Sequence, residues 1–204
     1  MVSNSQRETR VNVLLLGPQG SGKGTQAKLI SNTYGIPHIA TGDMIREIKE
    51  LDTDLGREVK AVYDAGELVD DDMMIRLIDS RLDRGDTLPG FVLDGFPRTM
   101  PQAEALDDLL GRLGRDLDVV LEFQVADRQT LLERLLRRAA DESRSDDTPE
   151  AIQRRLELYD RETAPLVEYY RSTRGNVVGI HADRTIEGVF AEVRQALDQV
   201  GARR

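Results

Sequence analysis

Cysteine is absent from the 204 residues, which excludes disulfides, thiolate catalysis and any cysteine-ligated zinc knuckle. The absence is compatible with a reducing cytoplasm, the expected location. Long apolar runs are missing as well. No stretch approaches the roughly 20 residues that a membrane-spanning helix needs, and Met1 to Thr9 is polar throughout. Neither a membrane anchor nor a signal peptide is expected, and the chain should be soluble and intracellular. Net positive charge is lacking: 28 Lys+Arg against 37 Asp+Glu give −9, which argues against general nucleic-acid binding, because neutralising phosphates needs a basic face. Lysine itself is scarce, confined to Lys23, Lys28, Lys49 and Lys60. Most of the arginine excess reads as solvated surface, so particular arginines have to be argued one at a time. No internal repeat, low-complexity tract or heptad run is present. What remains, 39% apolar and 32% charged residues, is ordinary for a globular protein and fits one compact α/β domain better than two full ones.

The order of elements follows from punctuation and periodicity. Val11 to Leu16 is a short apolar run before Gly17-Pro18 and reads as a fully buried strand of a parallel sheet. Lys23 to Tyr34 offers a helix with Ala27 and Ile30 inward, closed by Gly35 and Pro37. The alternation recurs: Phe91 to Leu93 before Asp94-Gly95, Val119 to Val125 before a helix carrying Leu131, Leu132, Leu135 and Leu136, and Val177 to Ile180 before a last helix around Val189 to Val200. Strands alternating with helices imply a mostly parallel sheet covered on both faces. Thr41 to about Asp72 reads instead as short helical segments broken at Gly56 and Gly66, an inserted lobe. Ala139 to Pro149 is polar and reads as a mobile surface loop.

One motif carries chemistry on its own. Gly17-Pro18-Gln19-Gly20-Ser21-Gly22-Lys23-Gly24-Thr25 matches GxxxxGK after a buried strand and before a helix. Glycines let successive backbone N–H groups face a polyphosphate, the helix N-terminus adds its positive end, and Lys23 adds a mobile charge. Asp94 follows an apolar strand, where sheet ligands bind; by itself it reads equally as a turn or N-cap aspartate. Arg46 could clamp a phosphate or simply pair with Glu47 or Glu50 on its helix. Arg134 and Arg138 are i,i+4 and project from one side of a helix. Arg155 lies inside the stripe Ile152, Leu156, Tyr159, Thr163, Tyr170, and Arg154 falls outside it. An inward arginine needs an anionic partner, either a carboxylate or a substrate phosphate. His38 and His181 carry no motif and read as structural; Met44, Met73 and Met74 read as core or pocket-lining.

The variant GKGT, with Thr41-Gly42-Asp43-Met44-Ile45-Arg46, Gly66-Glu67-Leu68-Val69, Asp94-Gly95-Phe96-Pro97-Arg98-Thr99 and Gln102, resembles the nucleoside monophosphate kinases, and within them the adenylate kinase family. Arg134, Arg137-Arg138, Asp146-Asp147, Arg154-Arg155-Leu156 and Thr163-Ala164-Pro165-Leu166 continue the resemblance in order. It implies a P-loop three-layer α/β sandwich with a mostly parallel five-stranded sheet, a helical AMP-binding insertion and a short lid. The expected bounds are a core over 10–40, 70–138 and 150–200, an AMP lobe over 41–69, a lid over 139–149 and a disordered tail over 1–9. The implied reaction is direct in-line transfer of the terminal phosphoryl group of Mg·ATP to AMP, giving two ADP. Phosphoryl transfer asks mainly for positioning and charge neutralisation.

By the same resemblance, Gly20, Ser21, Gly22, Lys23, Gly24, Thr25, Arg134, Arg138 and Arg184 bind ATP. Thr41, Arg46, Glu67, Leu68, Val69, Gly95, Phe96, Pro97, Arg98, Gln102, Arg144 and Arg155 bind AMP, with Thr41 and Gln102 reading adenine. Lys23, Arg98, Arg138, Arg144 and Arg155 are the expected catalytic group. Mg²⁺ is expected on Thr25 and, through water, on Asp94. The pyrimidine-specific relatives typically carry alanine and asparagine in place of Thr41 and Gln102, so the acceptor is expected to be AMP rather than CMP or UMP; a non-catalytic nucleotide sensor is the reading from another class. Two features depart from the family pattern. The lid is short and offers no Cys or His for zinc, and Asp70 stands where proline or threonine is commoner, so Asp70 to Asp72 reads as a solvated, N-capping helix start. No nucleic-acid or membrane partner is expected, and the chain should act as a monomer.

Overall fold

Val11–Leu16 forms strand β1 and is buried along its whole length. The run still alternates: Val11, Val13 and Leu15 join one core and Leu14 and Leu16 another, because successive strand side chains point to opposite faces. A strand buried on both sides must lie between two helical layers. That is the arrangement in the computed structural model, which describes residues 11–65, 67–141 and 148–201.

β1 is the middle strand. It pairs in parallel with β3 (Gly90–Asp94) on one side and β4 (Val119–Gln124) on the other. β2 (His38–Ala40) pairs outside β3 and β5 (Val177–His181) outside β4, all in parallel, giving the order β2-β3-β1-β4-β5. One face is covered by α1 (Lys23–Tyr34) and α9 (Ile186–Gly201), through Ala27, Ile30, Val189 and Val193. The other is covered by α4 (Asp71–Leu82), α5 (Met100–Arg112) and α8 (Pro165–Arg174), through Ile78, Leu106 and Tyr170. From β1 the chain crosses to β2, beyond β3, and after β3 it crosses back past β1 to β4, and the crevice at the carboxyl ends of the strands at such a reversal is where open α/β sheets bind ligands.

Two structures stand outside the sandwich. α6 (Arg128–Asp141) and α7 (Pro149–Leu158) pack through a small separate cluster of Leu131, Leu135, Ile152 and Leu156. α6 includes Ala139 to Asp141, and α7 starts at Pro149 with Thr148 as its cap. Both ends of the segment read as a lid are therefore helix, while Arg144 and the Asp146-Asp147 pair lie outside the described residues, as do Met1 to Thr9 and Gly66.

The inserted lobe consists of α2 (Thr41–Lys49) and α3 (Asp54–Asp64). Gly56 does not break it. The turn is at residues 50–53, Thr53 caps α3 by accepting from the Gly56 N–H, and Gly56 lies inside the first turn of that helix. A Cβ on Gly56 would fall 2.1 Å from the Leu51 carbonyl oxygen and 3.0 Å from that of Ile48, so glycine here serves close approach of α3 to the end of α2. Glycine to alanine in a helix ordinarily stabilises by about 1 kcal/mol. Overpacking against backbone outweighs that, and Gly56→Ala is expected to destabilise by about 1–3 kcal/mol, lowering the thermal midpoint followed by circular dichroism; a raised midpoint would show that the turn yields.

Candidate active site

The loop after β1 turns back into α1. Gly20 has φ 83°, and a Cβ there would lie 2.9 Å from the Leu131 carbonyl oxygen, so both torsion and space demand glycine at this point. The Lys23 ammonium donates to the carbonyls of Gly17 (2.6 Å) and Pro18 (2.8 Å) and lies 3.3 Å from the Ser21 hydroxyl. Gly20, Gly22, Lys23, Gly24 and Thr25 line a cavity of about 480 Å³ at the carboxyl ends of β1 and β3. Ser21 is buried.

β3 delivers Asp94 to the same cavity, across from Gly24, whose Cβ would stand 3.6 Å from the carboxylate. The Asp94-Gly95-Phe96-Pro97-Arg98 turn follows, with a cis Phe96–Pro97 bond. Arg98 reaches back so that Nε donates to the Gly95 carbonyl (2.7 Å), and the Arg98 carbonyl accepts from the Thr163 hydroxyl (2.8 Å). Thr163 ends a π-helical turn, Tyr159–Thr163, that joins α7 to α8; such turns recur at functional sites. Gly95, Pro97 and Arg98 line the cavity, and the Phe96 ring belongs to the core.

The other walls carry the remaining cations. Arg46 of α2 lines the cavity, donating to the Tyr63 hydroxyl (2.9 Å) and pairing with Asp43, so its partners are not Glu47 or Glu50. Arg155 lies on the inward face of α7, where Nη2 donates to the Tyr63 carbonyl (3.1 Å) and the guanidinium sits over the Tyr63 ring. Arg154 faces out and pairs with Glu67. Arg134 and Arg138 of α6 both line the cavity, Arg134 donating to the Ala182 carbonyl at 3.1 Å. Glu67 and Leu68 complete the wall beside the lobe.

Some expected site residues sit elsewhere. Thr41 is buried, its hydroxyl 3.3 Å from the Asp94 carbonyl. Gln102 is buried with both ends of its amide bonded to protein. Val69 packs on the core. Arg184 is exposed, 3.8 Å from Glu192. The acidic helix start is only partly solvated: Asp70 caps α4 through the Met73 N–H, and Asp71 is bonded to Thr99 and Gln102.

Among the cavity-lining residues not read from the sequence as part of the site are His38 and Tyr63. His38 lines the cavity with Nε2 3.5 Å from the Asp94 carboxylate. Its place at the end of the loop into β2 carries no motif. Tyr63 lines it with Arg46, Lys49 and Arg155 arranged around ring and hydroxyl; a single tyrosine on an amphipathic helix looks like core.

The electrostatics tie these groups into one neighbourhood. Burial pushes the Asp94 carboxyl up, but the imidazole of His38 and the charges of Lys23 and Arg98 win and hold it below the usual carboxylate range. Desolvation lowers the Lys23 ammonium to about 8, against partial support from Asp94, with Arg98 and Arg138 pushing the same way as burial. Burial likewise lowers Arg98, whose neighbours include Arg155 and Arg46. Lys23, Arg98, Arg138, Arg155 and Arg46 thus converge on one cavity around an ionised carboxylate. Such a site suits polyanions.

Residues 15–175 match the family described as "Adenylate kinase". The chain belongs to the adenylate kinase family. It is 46% identical to the adenylate kinase of Stenotrophomonas maltophilia (strain K279a) over 92% of this chain and 99% of that protein. It is likewise 46% identical to that of Mycobacterium leprae (strain Br4923) over the same shares, and 45% identical to that of Leifsonia xyli subsp. xyli (strain CTCB07) over 93% and 94%. The family's enzymes are ATP:AMP phosphotransferases, and this kinase presents the α/β frame and the crevice that such a reaction needs.

Mg²⁺ enters such a reaction with ATP, and the residues present fit it. The Thr25 hydroxyl and the acidified Asp94 carboxylate are hard oxygen donors on one side of the cavity, suited to an ion that keeps several waters and takes most other ligands from phosphates. Among the described residues no cluster of three or more His, Asp or Glu forms a self-sufficient metal site.

Lys23 generates a pH dependence. Below about 8 it is already an ammonium; above that it must take up a proton to face a phosphate. ATP affinity is therefore expected to weaken as pH rises from about 8 toward 10, by up to about tenfold per pH unit, with proton uptake on binding. Calorimetry near pH 9 in buffers of different ionisation enthalpy reads this directly, and binding without proton uptake would overturn it.

Proposed function

We propose that the cavity holds Mg·ATP and AMP end to end, with the terminal phosphoryl group of ATP directed at the AMP phosphate beside Asp94. The observation that carries this reading is the convergence of Lys23, Arg138, Arg98, Arg155 and Arg46 on one cavity from five different elements. In the donor half, the N–H groups of Gly20 to Thr25 and Lys23 hold the β- and γ-phosphates, and Arg134, Arg138 and Arg184 the rest of ATP. In the acceptor half, Arg46, Arg98 and Arg155 clamp the AMP phosphate, bidentate recognition being what a guanidinium offers and an ammonium does not. Glu67, Leu68, Val69, Gly95, Phe96 and Pro97 shape the AMP site around them.

The residues do little covalent work. An oxygen of the AMP phosphate forms a bond to the γ-phosphorus as the bond from that phosphorus to the β–γ bridging oxygen breaks, and both products are ADP. Lys23, Arg98, Arg138, Arg144 and Arg155 offset the charge spread over the transferred group, a contribution that grows as water is excluded. Mg²⁺, held from the protein side by Thr25 and by Asp94 through water, supplies charge neutralisation on the ATP phosphates.

Thr41 and Gln102 read adenine in this proposal. Support comes from their placement: a Cβ on Gly95 would touch the Thr41 hydroxyl oxygen at 2.5 Å, and Gln102 Oε1 accepts from the Arg98 N–H at 2.8 Å. Both thus flank the turn that carries the acceptor arginine. The absence of cysteine is compatible with a reducing cytoplasm, and membership of the family supports a monomeric enzyme.

The test is ADP formation from Mg·ATP with AMP, CMP, UMP, GMP or no acceptor, with and without Mg²⁺. Rapid, Mg²⁺-dependent turnover with AMP and little with the others is expected, and preference for a pyrimidine acceptor would overturn the base assignment. The double variant Thr41→Ala/Gln102→Asn is expected to reduce the AMP preference over CMP and UMP by about 10–100-fold; unchanged discrimination would remove both residues from base recognition.

A further inference from the structure

We propose that Asp71 is a specificity-determining positioning residue: its carboxylate fixes which way round the Gln102 amide faces, and so which purine edge the acceptor site takes. The inference rests on the reading that Gln102 contacts the base. Gln102 lies in the first turn of α5 and is 2% exposed. Its Nε2 stands 2.6 Å from Asp71 Oδ1, and its Oε1 2.8 Å from the backbone nitrogen of Arg98.

These two neighbours leave no choice of orientation. A carboxylate only accepts, so the amide end that faces it must be the NH₂; a backbone N–H only donates, so the end that faces Arg98 must be the oxygen. Turning the amide over would set oxygen against carboxylate and NH₂ against N–H, two repulsive contacts in a buried site. Asp71 is itself aimed. Its second oxygen accepts from the Thr99 hydroxyl at 2.8 Å, and Thr99 caps α5. Asp71 is the first residue of α4, with Asp70 as the cap before it, so the relay joins the start of α4 to the start of α5. Asp70 and Asp72 are exposed.

The consequence is chemical. An amide has two N–H groups and two lone pairs on oxygen; after Asp71 and Arg98 have taken one of each, one N–H and one lone pair remain in a fixed order. The adenine edge offers an amino donor at position 6 and an acceptor at N1, complementary to an acceptor and a donor in that order. The hypoxanthine edge offers a 6-carbonyl acceptor and an N1–H donor, the reverse. A locked amide therefore takes a 6-amino purine and refuses a 6-oxo purine; with the Arg98 N–H as its one remaining constraint, turning over meets one repulsive contact instead of two, and the 6-oxo edge is accepted more readily.

The experiment compares AMP and IMP as acceptors, with Mg·ATP as donor, in the parent and in Asp71→Asn, Asp71→Glu and Gln102→Leu. Asp71→Asn, which can donate or accept, is expected to lower the AMP:IMP ratio of kcat/KM by about tenfold or more, mainly through KM for the acceptor, with KM for Mg·ATP unmoved. Asp71→Glu keeps an acceptor-only carboxylate and is expected to restore most of the ratio. Asp71→Ser, also able to donate or accept, carries the same expectation should Asp71→Asn fail to fold. An unchanged ratio in Asp71→Asn or Asp71→Ser while Gln102→Leu collapses it would overturn the role of Asp71 alone. An unchanged ratio in Gln102→Leu would overturn the base-reading assignment and the Asp71 role with it. Equal losses for AMP and IMP with a changed KM for Mg·ATP would reduce Asp71 to a structural residue and overturn the proposal.

Discussion

Cations brought together in a half-buried cavity need carboxylates to offset their mutual repulsion: Asp43 pairs with Arg46, and Asp94 stands among Lys23 and Arg98. Asp94 is the last residue of β3, the strand that pairs directly with β1. The β1–β3 register that sets Leu15 against Asp94 therefore also sets the phosphate loop against the Arg98 turn. The carboxyl stays ionised despite burial because His38, Lys23 and Arg98 surround it, and Lys23 and Arg98 are lowered first by burial and then by the neighbouring arginines. Protonating or removing this carboxylate would leave like charges facing one another at low local dielectric, where each is costly. Strand order, loop placement and electrostatics are thus one constraint.

Much of the fold is legible because few alternatives fit the local pattern. VNVLLL cannot be an amphipathic surface element, and the glycine loop and helix after it follow its end. Arg155 was visible as a charge inside an apolar stripe, and it is buried. Other features depended on geometry that no local pattern encodes. β2 has three residues, too few to show a period, and exists because β3 offers it an edge. Gly56 looks like a breaker, since glycine usually marks an end; the clash it avoids is with Leu51, five residues back. Asp71 looks solvated in an acidic run, and its partners are 28 and 31 residues away.

The lobe and the second half of the chain meet at Tyr63. Its ring lies under the Arg155 guanidinium and the Lys49 ammonium at 4.9 Å each, and its hydroxyl accepts from Arg46. An aromatic face holds cations by its quadrupole without neutralising them, so α2, α3 and α7 are tied together while the positive charge is kept. Lys49 is additionally paired with Asp64 and Arg46 with Asp43. Arg46 and Arg155 are the two that line the cavity.

The same logic separates the arginines of the cavity from those of the surface in an acidic protein. Outside, guanidinium groups meet carboxylates: Arg57 with Asp52 and Asp54, Arg81 with Asp86, Arg128 with Asp160, Arg171 with Glu168. Those pairs are worth little individually in water but cancel charge locally. Inside, Lys23, Arg98 and Arg134 are anchored by the backbone carbonyls of Gly17, Pro18, Gly95 and Ala182. A carbonyl dipole fixes the direction of a cation and leaves its charge intact. A net charge of −9 is then no obstacle to binding anionic nucleotides, because a cleft focuses the field of the charges that line it. What Lys23, Arg98 and Arg134 share is a neutral backbone group that holds each of them in the cavity.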